Sequence, residues 1–424
     1  MSHCRSLARQ FCEDSSSEDE ELMMAAIVAE EEEARLDAPR HGGSQPGRQS
    51  LQRDFAERFQ NLHKDYFAEN PTFKARMFRN RYRMHRPLFL RIASAIEAHD
   101  SYFSLRRNSA GVPGLHPYQK LTSLFRILAY GIAADLTDEY CRLAKSTALE
   151  NFRRFVRAVI EVFGGQYLRS PNAEDTARLL AIGEQRGFPG MLGSIDCMHW
   201  KWKNCPTAHK GFFVGHKRVP TVILEAVASQ DLWIWHSFFG LPGSHNDINV
   251  LHRSPVFANL VEGHAPEVNY TINGHNYNIG YYLADGIYPQ WATFVKTIPN
   301  PKGEKNKNFS RFQEAYRKDV ERAFGVLQAR FAIVHGPARY WDLETLEEVM
   351  TACIILHNMI IEDERGSHVD YRYDNMGELV TPSHREAATL TQFLQAQSDI
   401  RDKQVHCQRQ VDLVEHLWQI RGLM

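Results

Sequence analysis

Three apolar runs follow one another between residues 191 and 240: MLGSIDCMHW, PTVILEAVAS and DLWIWHSFFG. The second and third are rich in β-branched and aromatic residues and are joined through Ser229-Gln230-Asp231, which predicts a hairpin. A fourth run, IGYYLADGIYP, ends on Gly and Pro and reads as a short strand. Residues 311–330 and 344–362 then carry helical periodicity. Strands followed by helices predict an α/β or α+β domain over 188–362.

The preceding segment, 51–187, reads as all-helical. Residues 117–133 space Leu121, Leu124, Phe125 and Leu128 along one helical face. A short helix near 138–143 follows, and Thr147 with Glu150 has the spacing of a capping box opening a helix to Gly164-Gly165. A short helix, a tight turn and a longer helix carrying Arg153, Arg154 and Arg157 match a helix-turn-helix, a DNA-reading arrangement that any helical bundle can also imitate. Upstream, Lys74, Arg76, Arg79, Arg81, Arg83, Arg86 and Arg91 lie in a window without acids, interleaved with Phe73, Phe78, Tyr82 and Phe89. Phosphate contact is one reading of that window, centred on Arg79, Arg81 and Arg83. The solvated face of an amphipathic helix is the other.

Charge is segregated along the chain. The first 37 residues hold eleven acids against three bases, so the rest carries 47 Lys and Arg against 40 Asp and Glu, despite a net charge of -1. A basic body suits a polyanionic partner such as DNA. Residues 1–50 combine an SSSEDEE tract with a glutamate run and read as a disordered acidic tail, and 363–424 as a linker and a C-terminal helix. That helix, near 386–420, is expected to place Leu390, Phe393, Val411, Val414 and Trp418 on its apolar face. No apolar run approaches the roughly 18–20 residues of a membrane span, and the polar start does not read as a signal peptide. Seven scattered cysteines indicate a reducing compartment rather than a disulfide framework.

Three acids fall at pointed positions. Asp196 lies in or at the end of the first strand, Asp285 follows Tyr281-Tyr282-Leu283-Ala284, and Glu321 lies mid-helix beside a stripe of Val320, Ala323, Phe324 and Leu327. Carboxylates from two strands and a helix are a donor set for Mg²⁺ or Mn²⁺ in phosphodiester displacement, with Arg317 and Lys318 nearby for phosphate. Spacing alone does not single these acids out, since most acids sit on solvated faces.

The motifs GSIDCMHW, LPGSHNDINVLHRSPVF, YYLADGIYP, KDVERAFGVLQARFAIV and ACIILHNMIIEDE, in this order over about 190–365, resemble the PIF/Harbinger superfamily of DDE transposases and their domesticated, nuclease-like relatives. The upstream LAYGIAADLTDEYCRLAKSTALENFRRFV and GEQRGFPGMLGSIDC, and the C-terminal EHLW, resemble plant-type members. His209 stands where an aromatic residue is usual. The resemblance implies an RNase H-like, mixed-sheet DDE catalytic domain with Asp196, Asp285 and Glu321 as its catalytic triad and metal ligands, and Asp247 of SHNDINV as a further metal-site acid. It implies a divalent cation, Mg²⁺ or Mn²⁺, a two-metal cleavage of DNA, a nuclear location and a separate Myb/SANT-like partner protein, and it leaves room for homo-oligomers. The alternative is a domesticated factor that binds DNA or protein without cutting.

Two rival sites are weaker. Cys197-x-His199 and Cys205-x3-His209 could hold zinc, but the spacing chelates poorly, and a buried thiol with a hydrogen-bonded histidine is the better account. His357, among Ile354, Ile355, Leu356 and Met359, reads as a satisfied core histidine, and Trp233, Trp235, Phe238 and Phe239 read as core.

Overall fold

The apolar spacing of residues 117–130 becomes helix α4 (Pro117–Tyr130), and its start and stop are written locally. His116 caps it in a reciprocal box with Gln119, Pro117 takes the first turn, and Gly131 ends it at φ 62°. In the computed structural model, residues 53–262, 268–365 and 390–423 are described. The expected acidic tail over 1–50 and most of the linker after 365 lie outside them. Before α4 come α1 (Phe55–Tyr66), α2 (Ala75–Tyr82) and α3 (Arg86–His99), and after it α5 (Leu136–Cys141), α6 (Lys145–Tyr167) and α7 (Ala173–Gln185). The helix α6 begins two residues before Thr147, with Ala144 at its N-cap and no side-chain cap. The expected capping box therefore does not form; Glu150 instead pairs with Arg154 one turn on, at 2.6 Å.

The strands are β1 (Met191–Lys201), β2 (Thr221–Ala228), β3 (Ile234–Pro242), β4 (Tyr270–Ile272), β5 (His275–Tyr277), β6 (Tyr281–Ala284) and β7 (Phe294–Lys296). Five form one sheet in the order β3-β2-β1-β6-β7, and β4 and β5 form a separate pair. Strand β2 runs antiparallel to both β1 and β3, as the predicted hairpin requires, while β6 and β7 run parallel to β1 and to each other. A mixed five-stranded sheet in this order, flanked by helices, is consistent with an RNase H-like fold. At Gly193 (φ 155°) a Cβ would sit 2.7 Å from the Ala228 carbonyl oxygen, so only glycine lets β2 approach β1 there, beside the register shift at the start of β1.

Helix α8 (Asp247–Arg253) follows β3; α9 (Glu304–Arg330) lies along β1; α10 (Leu343–Arg365) packs on α6 and β3. A core cluster runs without a break from Phe89, Phe125 and Phe155 in the helical segment, through Val349, Met350, Cys353 and Leu356 of α10, to Leu224 and Trp235 of the sheet. Fully burying each such large apolar side chain contributes about 1.5–3 kcal/mol. His357 is fully buried and satisfied: one ring nitrogen reaches the Leu232 carbonyl at 2.9 Å and the other lies 3.1 Å from Arg330. Burial, then Arg330, holds it neutral, with its pKa lowered to about 3. Trp233 and Trp235 are buried and Phe239 packs against the core, as read from sequence.

The C-terminal helix departs from expectation. It is two helices, α11 (Leu390–Ile400) and α12 (Lys403–Leu423), separated where the Asp402 carboxylate accepts from the Gln404 and Val405 amides. Val411, expected on the apolar face, is 63% exposed. The buried side of α12 carries His406, Arg409, Asp412, Leu413 and Leu417, because it docks on backbone carbonyls and on Tyr277 and His275 as well as on apolar side chains. The side chains of Leu390 and Phe393 lie outside the described set. Among the described residues no helix is long and apolar enough to cross a membrane.

Candidate active site

Alternation along β1 decides which way its acid points. Ser194 Oγ accepts from the Val320 amide at 3.0 Å and Met198 Sδ lies 3.9 Å from Gln328 Nε2, so the even-numbered residues, Asp196 among them, face α9. On the opposite side, Cys197 Sγ lies 3.7 Å from the Tyr288 hydroxyl, and His199 Nδ1 is 3.0 Å from Thr221 Oγ1. Burial pushes the Cys197 thiol well up, with Glu225 adding to it, which leaves a protonated sulfur and suits the core reading better than zinc.

Asp285 directly follows β6, whose register against β1 pairs Ser194 with Leu283, so Asp285 at the carboxyl end of β6 comes level with Asp196 in the middle of β1. The Asp285 carboxylate accepts from the Gly286 amide, and the turn is tied from β7: Lys296 Nζ donates to the carbonyls of Gly286 (3.0 Å) and Tyr288 (2.6 Å). Gln313 of α9 donates to the carbonyls of Ala284 and Val295, both at 3.1 Å, and so fixes the helix across the ends of β6 and β7. Glu321 lies two turns further along α9. Arg317 bridges it to the first strand, 2.7 Å from Glu321 Oε1 and 3.2 Å from Asp196 Oδ2. Asp247 is the first residue of α8, after its N-cap Asn246.

The acids sense one another. Burial pushes the Asp196 carboxyl up to about 6; the Cys197 amide and Arg317 oppose this, while Asp247 and Glu321 add to it. Burial likewise raises Asp247, opposed by a hydrogen bond from Cys197 and reinforced by Asp285 and Glu225. Charge repulsion thus links Asp196 to Asp247 and Glu321, and Asp247 to Asp285. All four are oxygen donors of the type hard divalent cations take, and Arg317 stands between two of them as a cationic substitute. The set fits a divalent cation in chemistry and charge. Among the described residues no three His, Cys, Asp or Glu side chains converge closely enough to hold one ion.

Sequence reading did not single out Lys296, Cys197 or Glu225 as parts of this neighbourhood. Glu225 is fully buried on β2 opposite Cys197, 3.4 Å from His236 Nε2. Nothing in the spacing flags Lys296, because its partners become neighbours only when β7 pairs with β6. The arginines expected at DNA divide. Arg79 pairs with Glu364; Arg81 reaches the Tyr66 hydroxyl and lies 4.0 Å over the Phe73 ring; Arg83 ends α2 at φ 64° with its guanidinium 5.3 Å over Tyr130. Arg154 pairs with Glu150 and Asp100, Arg317 with the acids, and Arg153 and Lys318 are exposed.

Fold and site together define a mixed α/β protein with one acid in the middle of the central strand β1 and a second just past the end of the parallel strand β6. Residues 165–368 match the family described as plant transposon protein, and residues 53–97 match a domain of unknown function. The chain is 25% identical over 254 residues to "Protein ALP1-like" of Arabidopsis thaliana, a match covering 56% of this chain and 59% of that protein. It is 24% identical over 205 residues to "Putative nuclease HARBI1" of Homo sapiens, covering 46% and 54%, and equally so to the protein of that name in Bos taurus. The match therefore spans a little over half the length of these relatives. In sequence the chain is similar to Harbinger transposase-derived proteins. No solved structure matches it.

Proposed function

We propose that this protein is a divalent-metal-dependent DNA nuclease of the DDE type on an RNase H-like core. The observation that carries the reading is the register that sets Asp285 level with Asp196 on parallel strands, with Arg317 joining Asp196 to Glu321 of the helix alongside. Asp196, Asp247, Asp285 and Glu321 would hold Mg²⁺ or Mn²⁺. Bound there, the cations would activate the attacking water and stabilise the leaving oxygen of a phosphodiester. Burial of Asp196 keeps water from screening its charge, and Lys296 and Gln313 keep the Asp285 turn in place before any ligand arrives. Arg317 neutralises Asp196 and Glu321 in the absence of a cation and lies within reach of a phosphate at the same site. Exposed Lys318, the next residue, adds a phosphate contact.

The test is nicking of supercoiled DNA by the purified full chain with Mg²⁺ or Mn²⁺. Wild type should nick, and Asp285→Ala should not. A second reading is favoured by the Arg317 bridge: a domesticated factor that binds DNA without cutting. Wild type and Asp285→Ala equally inert, yet equally retained on DNA, would establish that reading instead. The proposal extends to a nuclear location reached with a Myb/SANT-like partner. Concentration of the protein in nuclei when expressed alone would remove the partner from import.

A further inference from the structure

Between Cys197 and Leu224 the chain has no acidic residue, while Lys201, Lys203, Lys210, Lys217 and Arg218 fall within it. The last two sit on a rigid turn. The Arg218 amide donates to the Gly215 carbonyl at 2.9 Å, and Val214 pairs with Pro220 in an antiparallel bridge behind it. A Cβ at Gly215 would lie 1.9 Å from the Gly243 carbonyl oxygen, so the turn is pressed directly onto the backbone after β3. Arg218 itself is held at φ 57°, a left-handed conformation costing a non-glycine residue roughly 1–2 kcal/mol. The surroundings over-determine that strain, and the outcome is that His216, Lys217 and Arg218 all face solvent.

The turn is continuous with the acidic site. The His216 ring stands edge-on to His199, 5.1 Å between centroids, and His199 shares a face of β1 with Cys197, the neighbour of Asp196 in that strand. Lys201, two residues further along the same face, is exposed, and same-face residues on a strand recur about every 6.6 Å. Alongside runs segment 338–341. Trp202 forms a bridge with Ala338 and its amide donates to the Pro220 carbonyl, and Trp341, at the end of that segment, is 66% exposed. An open row of cations with an exposed indole at its margin suits a repeating polyanion with bases to stack, and not a small anion, which needs a closed pocket.

We propose that the Gly215–Arg218 turn, with Lys201 and Trp341, is a nucleic-acid ledge that grips the phosphates of one strand leading out of the acidic site. The inference rests on the reading of that site as acting on DNA and deepens it. It is tested by binding alone, using the full chain and a short labelled DNA duplex in EDTA, with affinity measured across a salt series. Lys217→Glu with Arg218→Glu should weaken binding about tenfold or more, and the slope of log affinity against log salt should flatten by about 1–2. Lys217→Gln with Arg218→Gln should do the same more mildly. Trp341→Ala should weaken binding to single strands without changing the slope. Thermal melting checks that each variant is folded, and Arg106→Glu with Arg107→Glu is the charge-matched control. Unchanged affinity and slope in the charge reversals would overturn the ledge, as would an equal loss in the control or equal competition by polyglutamate. Turn-dependent DNA binding without nicking would uphold the ledge and sink the nuclease reading. Nicking with turn-independent binding would do the reverse.

Discussion

Two windows of this chain are basic and free of acids, residues 71–91 and 197–224, and in the sequence they look alike. The fold uses them differently. In the first, charge is consumed internally: Arg79 meets Glu364, Arg81 meets Tyr66 and Phe73, Arg86 donates to the carbonyls of Tyr66 and Ala68, and Arg91 meets Tyr167 and Glu362. Arg79 and Arg91 fasten α2 and α3 to the far end of α10, and Arg81 and Arg86 tie them to the end of α1. In the second window Lys217 and Arg218 stand on a strained turn facing solvent. A run of cations without acids in sequence therefore reports only that their partners, if any, are distant in the chain.

The largest test of that contrast is Arg330, which joins the first network by bonding both His357 and Glu364 with its side chain only 15% exposed. Arg330→Ala should destabilise the protein by about 2–4 kcal/mol in chemical denaturation, because it leaves a buried ring nitrogen without its donor and Glu364 with Arg79 alone.

Next in size is Asp196→Asn. The Asp196 pKa is 3.8 as an ordinary carboxyl and about 6 in the fold, so ionisation works against folding. That penalty is absent below pH 3.8 and complete above pH 6. In divalent-free buffer the substitution should stabilise the protein by about 1–3 kcal/mol at pH 8, with the gain vanishing near pH 4. Added Mg²⁺ should raise the melting midpoint of wild type and not of the variant. Arg79→Ala should lose less than about 1 kcal/mol, since the Arg79 side chain is 48% exposed. Smallest of all, Lys217→Ala should leave stability within about 0.5 kcal/mol while weakening DNA binding. A Lys217→Ala variant as destabilised as Arg330→Ala would erase the distinction between the two windows.

Legibility in the sequence followed element length. The hairpin of β2 and β3 was readable because each strand is long enough to show a β-branched run, with Ser229-Gln230-Asp231 between them. Asp285 was placed correctly at a strand end because YYLA is followed at once by Asp-Gly. Strands β4, β5 and β7 have three residues each, too few for any period. Helix α9 starts at Glu304 rather than near 311, since EKNKNFS is polar and only the turn at Gly303, at φ 80°, marks the start. In the candidate site the acids were singled out by ordered motifs, and the positions of Asp196, Asp285 and Glu321 in strand or helix could be read with them. Their supports were not: Arg317 was expected to meet phosphate and instead bridges Asp196 to Glu321, and Lys296 acquires its role from a pairing no local pattern encodes.

The docking of α12 carries a consequence for timing. His406 lies within hydrogen-bond reach of the carbonyls of Trp291 and Phe294, Arg409 donates to that of Ala292, and Gln410 to that of Lys296. The connection between β6 and β7, which begins at Asp285, is thus clasped by a helix that is translated after every strand of the sheet. On the ribosome the sheet emerges before this clasp, so in a nascent chain Lys296 and Gln313 alone hold the turn after Asp285 until the late helix docks on the far half of its loop.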